Sequence, residues 1–160
     1  MYTDGSCDNN RDKIGGYGVV LQYNKSNKQL YGGRRDTTSQ RMELLACIKG
    51  LSALTKKNIN VEIYSDSAYV VNCFKDKWYL GWEKFERWKN AEKQPIANKD
   101  LWIELLKLYR SFESTVTFSK VKAHIGIELN ELADQLAEKG RQEMKLANLD
   151  IKEFDSYINL

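Results

Sequence analysis

The chain has 160 residues, of which 42% are hydrophobic and 29% charged, with a formal net charge of +3. That length and balance suit one domain with its own core, and exclude a charge-dominated disordered segment or a small scaffold that needs covalent staples. No apolar run approaches the roughly 20 residues of a membrane span, so no membrane partner is expected.

Residues 1–5 read as a very short first strand. Residues 16–23 read as a second strand, 24–27 as a polar turn and 28–34 as the returning strand of an antiparallel hairpin. Leu44, Cys47, Ile48, Leu51 and Leu54 then recur at helical spacing within residues 40–56, preceded by the N-cap candidates Thr37, Thr38 and Ser39. Residues 60–65 alternate as a half-buried strand that ends at Asp66, and Ser67 opens the next helix. Residues 77–93 mix aromatic and charged side chains and read as helical or irregular, up to the break at Pro95. Asn98 is read as the cap of a helix reaching about Ser111, with Leu101, Leu105 and Leu108 on one face. Residues 115–121 form a strand, His124-Ile125-Gly126 a loop, and Leu129, Leu132, Ala133, Leu136 and Ala137 one face of a helix that Gly140 should end. Residues 143–160 carry four acids and two lysines and are expected as a peripheral helix or a fraying end. Strands, helix, strand, helices, strand, helix is the order of a mixed α/β layer fold.

The cysteines Cys7, Cys47 and Cys73 are odd in number and widely spaced, which reads as reduced thiols in a cytoplasmic protein. With His124 as the lone histidine they cannot assemble a zinc site. The N-terminus lacks the basic-then-apolar pattern of a secretory signal. The slight positive charge permits a nucleic-acid partner without demanding one.

Four acids stand at unusual places: Asp4 at the end of the first strand, Asp66 at the end of another, Glu43 in the first turn of a helix, and Asp134 off the apolar stripe of the last helix. Singly, each has an ordinary structural reading. A strand-end Asp forms turns or caps, a first-turn Glu suits the helix dipole, and an off-stripe Asp is solvated. Their weight comes from the set and its context. Thr3-Asp4-Gly5-Ser6-Cys7, Gly15-Gly16-Tyr17-Gly18, Thr37 to Leu44, Ser65-Asp66-Ser67-Ala68-Tyr69-Val70, Val121 to Gly126 and Asn130-Glu131-Leu132-Ala133-Asp134 follow one another in an order that closely resembles ribonuclease H type 1. The resemblance spans residues 2 to about 141.

The resemblance implies a five-stranded mixed β-sheet, three antiparallel strands followed by parallel ones, with helices on both faces. It implies a ribonuclease H domain over 1–142 and a C-terminal extension over 143–160 that is not a separate domain. The implied activity is hydrolysis of the RNA strand of an RNA–DNA hybrid, leaving 5′-phosphate and 3′-hydroxyl ends, by a monomer. The family's acidic tetrad falls on Asp4, Glu43, Asp66 and Asp134, which would hold two Mg²⁺ ions, with Mn²⁺ able to substitute. Its loop histidine falls on His124, as an assisting proton carrier. Two divalent ions suit the reaction because they activate water, stabilise the leaving oxygen and neutralise the phosphate, and Mg²⁺ takes hard oxygen ligands.

Substrate contacts are implied at Cys7, Asn9 or Asn10, Glu43 and the position of Ala68 for the 2′-hydroxyl edge, at Thr38 and Arg41 for a DNA phosphate, and at Asn130. Ala68 stands where the family usually has glutamine, so one side-chain contact to RNA is lost. Residues 74–93 resemble the family's basic protrusion, with Trp78, Lys84 and Lys89 as contacts to the DNA strand. Acids interleaved there leave the segment with little net charge, so a modest salt dependence is expected. Two rival readings are a hybrid-binding module with weak catalysis and a structure-specific nuclease of the same fold. Retention of all four acids argues against the first, and the Asp4 and Arg41-Met42-Glu43 segments argue against the second.

Overall fold

A computed structural model describes residues 1–84, 88–121 and 127–159. Its elements are β1 (Tyr2–Cys7), β2 (Gly15–Tyr23), β3 (Ser26–Arg34), α1 (Ser39–Ser52), β4 (Val61–Ser65), α2 (Ala68–Lys75), α3 (Trp78–Glu83), α4 (Lys99–Ser111), β5 (Val116–Lys120), α5 (Ile127–Leu146) and β6 (Glu153–Asn159). The sheet order is β5-β4-β1-β2-β3-β6. β1 pairs antiparallel with β2, β2 with β3 and β3 with β6, while β1–β4 and β4–β5 are parallel.

Among the described residues the sheet therefore has six strands, which corrects the expected five. The additional strand comes from the segment expected to be a helix or a frayed end. Within it Phe154, Ser156 and Ile158 are half-buried while Glu153, Asp155 and Tyr157 are exposed, the two-residue alternation of an edge strand. Asp155 fastens it. Its carboxylate accepts hydrogen bonds from the Tyr17 hydroxyl at 2.6 Å, the Arg34 guanidinium at 2.9 Å and Lys49 Nζ at 2.9 Å, so β2, β3 and α1 all hold β6. Arg35 secures the turn before it, donating to the carbonyls of Ile151, Met144 and Ala147 at 2.8, 2.9 and 3.1 Å and so satisfying the carbonyls left over at the end of α5.

Helices cover both faces. On one, α1, α2 and α4 pack Leu44, Ile48, Leu51, Val70, Phe74, Trp102 and Leu105 against Tyr17, Val19, Val61 and Ile63. On the other, α5 packs Ala133 and Leu136 against Val20 and Tyr31. Enclosure on both sides explains why β2 is buried from Gly15 to Val20 rather than alternating with solvent.

Two details of the sequence reading change. Gly140 does not end α5, which continues to Leu146. A Cβ there would lie 2.0 Å from the Gly32 carbonyl oxygen, so the glycine serves close packing of helix on strand. Asn98 does sit before α4, but with φ 62° and no capping hydrogen bond from its side chain. That side chain turns instead to the Tyr69 hydroxyl and to Arg41.

Asp155→Ala is expected to destabilise the fold by about 1–3 kcal/mol, because the enclosed Tyr17 hydroxyl loses its acceptor, and Asp155→Asn, which keeps an acceptor, by less. Chemical denaturation measures both. Equal losses for the two variants would place the effect elsewhere.

Candidate active site

Residues on β1 alternate between the two faces. Thr3 points toward α1, where its hydroxyl meets Cys47 Sγ at 3.8 Å, whereas Tyr2 packs with the α5 cluster. Asp4 follows the Tyr2 set and faces α5 from the third of six strand residues, so it lies within β1 and not at its end. Directly across the ladder from Asp4 is Gly18. A Cβ at Gly18 would lie 2.2 Å from the Ala133 carbonyl oxygen, so the glycine lets α5 descend onto the sheet one residue before Asp134. Gly5 does the same for α1. A Cβ there would lie 2.5 Å from the Glu43 amide nitrogen. Glu43 is the fifth residue of α1, which carries no acid in its first turn, so the helix dipole does not account for it. Asp66 directly follows β4, in the bend between Ser65 and the cap residue Ser67.

These elements converge. Carboxylate oxygens of Asp4, Glu43 and Asp66 lie within 4.8 Å of one another. Asp134, on α5, is not one of this group of three, but it acts on Asp4, raising its carboxyl further. Asp4 is buried, Glu43 half-buried, and Asp66 and Asp134 open to solvent, so the cluster runs from the sheet interior to the surface. Burial pushes the Asp4 and Glu43 carboxyls well above the usual carboxylate range, and the neighbouring acids push them further. The Gly5 peptide N–H opposes both shifts.

A cluster of hard oxygen donors that resist ionisation together fits a divalent cation. Glu43 Oε2 supports that fit: it is buried without a hydrogen-bond partner among the described residues, which is costly unless a ligand satisfies it. Asp4, Glu43 and Asp66 can hold such an ion, with Asp134 beside Asp4.

Of the other residues singled out in the sequence, Cys7 ends β1, and burial pushes its thiol pKa up. Sγ faces the carbonyls of Asp8 and Thr37 at 3.4 and 3.5 Å. Asn9 and Asn10 are exposed on the β1–β2 loop, where Asn10 Oδ1 accepts the Asp12 amide at 3.0 Å. Thr38 caps α1, its hydroxyl accepting the Arg41 amide at 3.2 Å. The Arg41 guanidinium is taken up by Asp100, with two bonds of 2.9 and 2.7 Å, a partner the sequence reading missed because it is 59 residues away. Asn130 is half-buried in the first turn of α5. Trp78 is 41% exposed at the start of α3, and Lys84 and Lys89 are exposed in the same region. Trp82 and Trp88 turn inward, Trp82 packing against the fully buried Trp102. His124 lies outside the described residues.

A mixed sheet with helices on both faces and a carboxylate cluster able to hold a divalent ion defines a ribonuclease H-like enzyme. The family model described as RNase H matches residues 1–142. A ribonuclease H of Syntrophomonas wolfei is 43% identical over 137 residues, covering 86% of this chain and 91% of that protein. One from Rhizobium johnstonii is 46% identical over 145 residues, covering 91% and 92%. Among solved structures, the PFV RNase H domain is similar with a TM-score of 0.64 at 25% identity, covering 89% of this chain and 93% of that one. LC11-RNase H1 in complex with an RNA/DNA hybrid shares the fold, with a TM-score of 0.64 at 20% identity and coverage of 90% and 96%. The chain belongs to the RNase H family. Among the described residues no helix is long and apolar enough to cross a membrane.

The raised carboxyls fix a pH dependence for the metal-free protein. In the unfolded chain these acids ionise near pH 4, while in the folded chain they hold their protons to higher pH. The folded state therefore binds more protons over that interval, and stability falls as pH rises from about 4 through neutrality. With a chelator present, Glu43→Gln is expected to raise the melting temperature at about pH 8 and to have little effect at about pH 4. Magnesium should stabilise the unsubstituted chain more at the higher pH. A melting temperature that Glu43→Gln lowers at both pH values would overturn this account.

Proposed function

We propose that the chain hydrolyses the RNA strand of RNA–DNA hybrids at the Asp4, Glu43, Asp66 and Asp134 cluster, leaving 5′-phosphate and 3′-hydroxyl ends. The observation that carries this is the convergence of the first three carboxylates within 4.8 Å on elements of a ribonuclease H fold. Divalent ions, two Mg²⁺ in this reading with Mn²⁺ as a substitute, supply an activated water and neutralise charge on the phosphate and leaving oxygen when bound. Asp4, Glu43 and Asp66 hold that charge, and Asp134 completes the ligand set from the solvent side. Rigid placement on β1, α1 and the β4 end keeps the carboxylates together despite their repulsion. His124 is assigned an assisting role in proton movement, from the family resemblance.

Substrate recognition is assigned around this centre. Cys7 with Asn9 and Asn10 forms the edge that meets the sugar 2′-hydroxyls, the group that separates RNA from DNA, and Asn130 adds an amide. Thr38 accepts from Arg41 but keeps its own hydroxyl proton to donate to a DNA phosphate. Arg41, paired to Asp100, adds positive charge there rather than a free fork. The exposed ring of Trp78, with Lys84 and Lys89 alongside, offers the DNA strand a stacking surface of the kind that binds bases without regard to sequence. In this reading residues 143–159 go with the rest of the domain, which α5 reaching Leu146 and the pairing of β6 with β3 support.

With magnesium, the protein is expected to cleave the RNA of a labelled hybrid and to leave duplex DNA and single-stranded RNA intact; an intact hybrid sinks the proposal. Asp66→Asn should abolish turnover and keep hybrid binding, since it removes charge but little shape, and strong residual cleavage would refute the metal assignment. Trp78→Ala should weaken hybrid binding by roughly five- to fiftyfold, one lost stacking contact, with kcat little changed. Unaltered affinity would remove Trp78 from the interface.

A further inference from the structure

The β1–β2 loop is tied to α5 by a bridge that no part of the chemistry above uses. Arg141, one residue after Gly140 on α5, reaches across with its guanidinium. Nη1 donates to Asp8 Oδ1, Nε donates to Glu138 Oε2 at 2.9 Å, and Nη2 donates to Glu138 Oε1. Arg141 and Asp8 are largely enclosed, with side chains 16% and 17% exposed. The backbone from which Arg141 springs is itself fixed, since a Cβ on Gly16 would lie 2.4 Å from the Arg141 amide nitrogen. The guanidinium is thus a strut of set length between the helix that carries Asp134 and the residue between Cys7 and Asn9.

The loop has few other ties. The Asp8 amide donates to the Ile14 carbonyl at 2.9 Å and the Thr37 amide to the Lys13 carbonyl at 3.1 Å, so the base of the loop is closed. Asn9, Asn10, Arg11, Asp12 and Lys13 are exposed. Asp8 is the one loop side chain with an ion pair to the body of the protein among the described residues. Its second oxygen, Oδ2, is buried without a hydrogen-bond partner among the described residues. Asp8 therefore depends on Arg141. Without the guanidinium, a largely buried carboxylate would be left unpaired, and rehydrating it requires the loop to swing away from α5.

We propose that Arg141 is a positioning residue for substrate: through Asp8 it locks the β1–β2 loop, and with it Cys7, Asn9 and Asn10, at a fixed height over the carboxylate cluster. This rests on the hybrid-cleaving reading for its kinetic consequence but not for its structural one. The lock matters because a loop that must read a 2′-hydroxyl has to be held near hydrogen-bonding position before substrate arrives, or binding carries the cost of ordering it. Asp4 and Asp134 have their own supports at Gly18 and in the β1 ladder, so unlocking the loop leaves the reacting centre in place.

The test is a double-mutant cycle on the full chain, read by two measurements. In Arg141→Gln, KM for the hybrid is expected to rise roughly three- to tenfold with kcat within about twofold of the unsubstituted enzyme, the range for paired residues in contact. Hydrogen exchange at the amides of residues 9–13 should quicken, while that of β4 and β5 is unchanged. Arg141→Lys should restore part of both. Asp8→Asn alone should do less harm than Arg141→Gln, because the guanidinium it leaves behind stays paired with Glu138, and adding it to Arg141→Gln should reverse part of the KM rise. Additive effects of the two substitutions, unchanged exchange in the loop, or a kcat loss that matches the KM rise would each overturn the proposal. If the unsubstituted chain cleaves no hybrid, the functional reading fails, yet the exchange measurement still decides whether Arg141 holds the loop.

Discussion

The repulsion among Asp4, Glu43 and Asp66 is the constraint to which the rest of the structure answers. Carboxylates crowded at the edge of a low-dielectric core oppose one another's ionisation, and the Gly5 amide relieves them only in part. A flexible scaffold would let them separate and lose the cluster. Here one acid is at a buried position within a strand, one is on a helix pressed onto that strand, and one follows directly from a parallel neighbour. The core that resists their separation is broad, joining α1, α2 and α4 through Trp102, Phe74, Leu105 and Ile48.

Backbone contact, more than side-chain fit, sets the spacing. Gly5 brings the α1 backbone against β1 at Glu43, and Gly18 brings the α5 backbone against β2 at Ala133, across the ladder from Asp4. Such contacts have no side chain to rearrange. The helix axes can move away from the sheet but not closer, and the apolar faces of both helices oppose movement away. Distances between acids on different elements are then fixed by strand register and helix height, which are cooperative properties of the fold.

What the sequence made legible follows the range of the interaction. The leucine stripes of α1 and α4, the β2–β3 hairpin and the strand before Asp66 are local patterns, and the structure has elements at each place. The four acids were legible as motifs in order, although Glu43 was assigned to a first turn that it does not occupy. What escaped is nonlocal. β6 carries Ser156 between Phe154 and Ile158 on its half-buried side, and its place is fixed by Asp155 meeting Tyr17, Arg34 and Lys49 more than a hundred residues earlier in the chain. Gly140 reads as a helix end because its reason for being glycine, the Gly32 carbonyl, lies on β3. Arg41 reads as a free cation until Asp100 is seen beside it.

That last point bears on how so mildly basic a chain can take a polyanion. Arg34, Arg41, Arg110 and Arg141 all spend their guanidinium groups on carboxylates of the same chain. Each pair binds together elements that are distant in sequence, so these charges act first on the fold. Cations already matched by acids release fewer counterions when a nucleic acid binds, and they contribute less to indiscriminate attraction. In the proposed reading, affinity then comes from groups placed for a particular shape: a capping hydroxyl at Thr38, an exposed indole at Trp78, and amides on the β1–β2 loop. A protein built this way trades general attraction to nucleic acid for dependence on geometry. Geometry is also what distinguishes a hybrid from the duplex DNA that shares its charge.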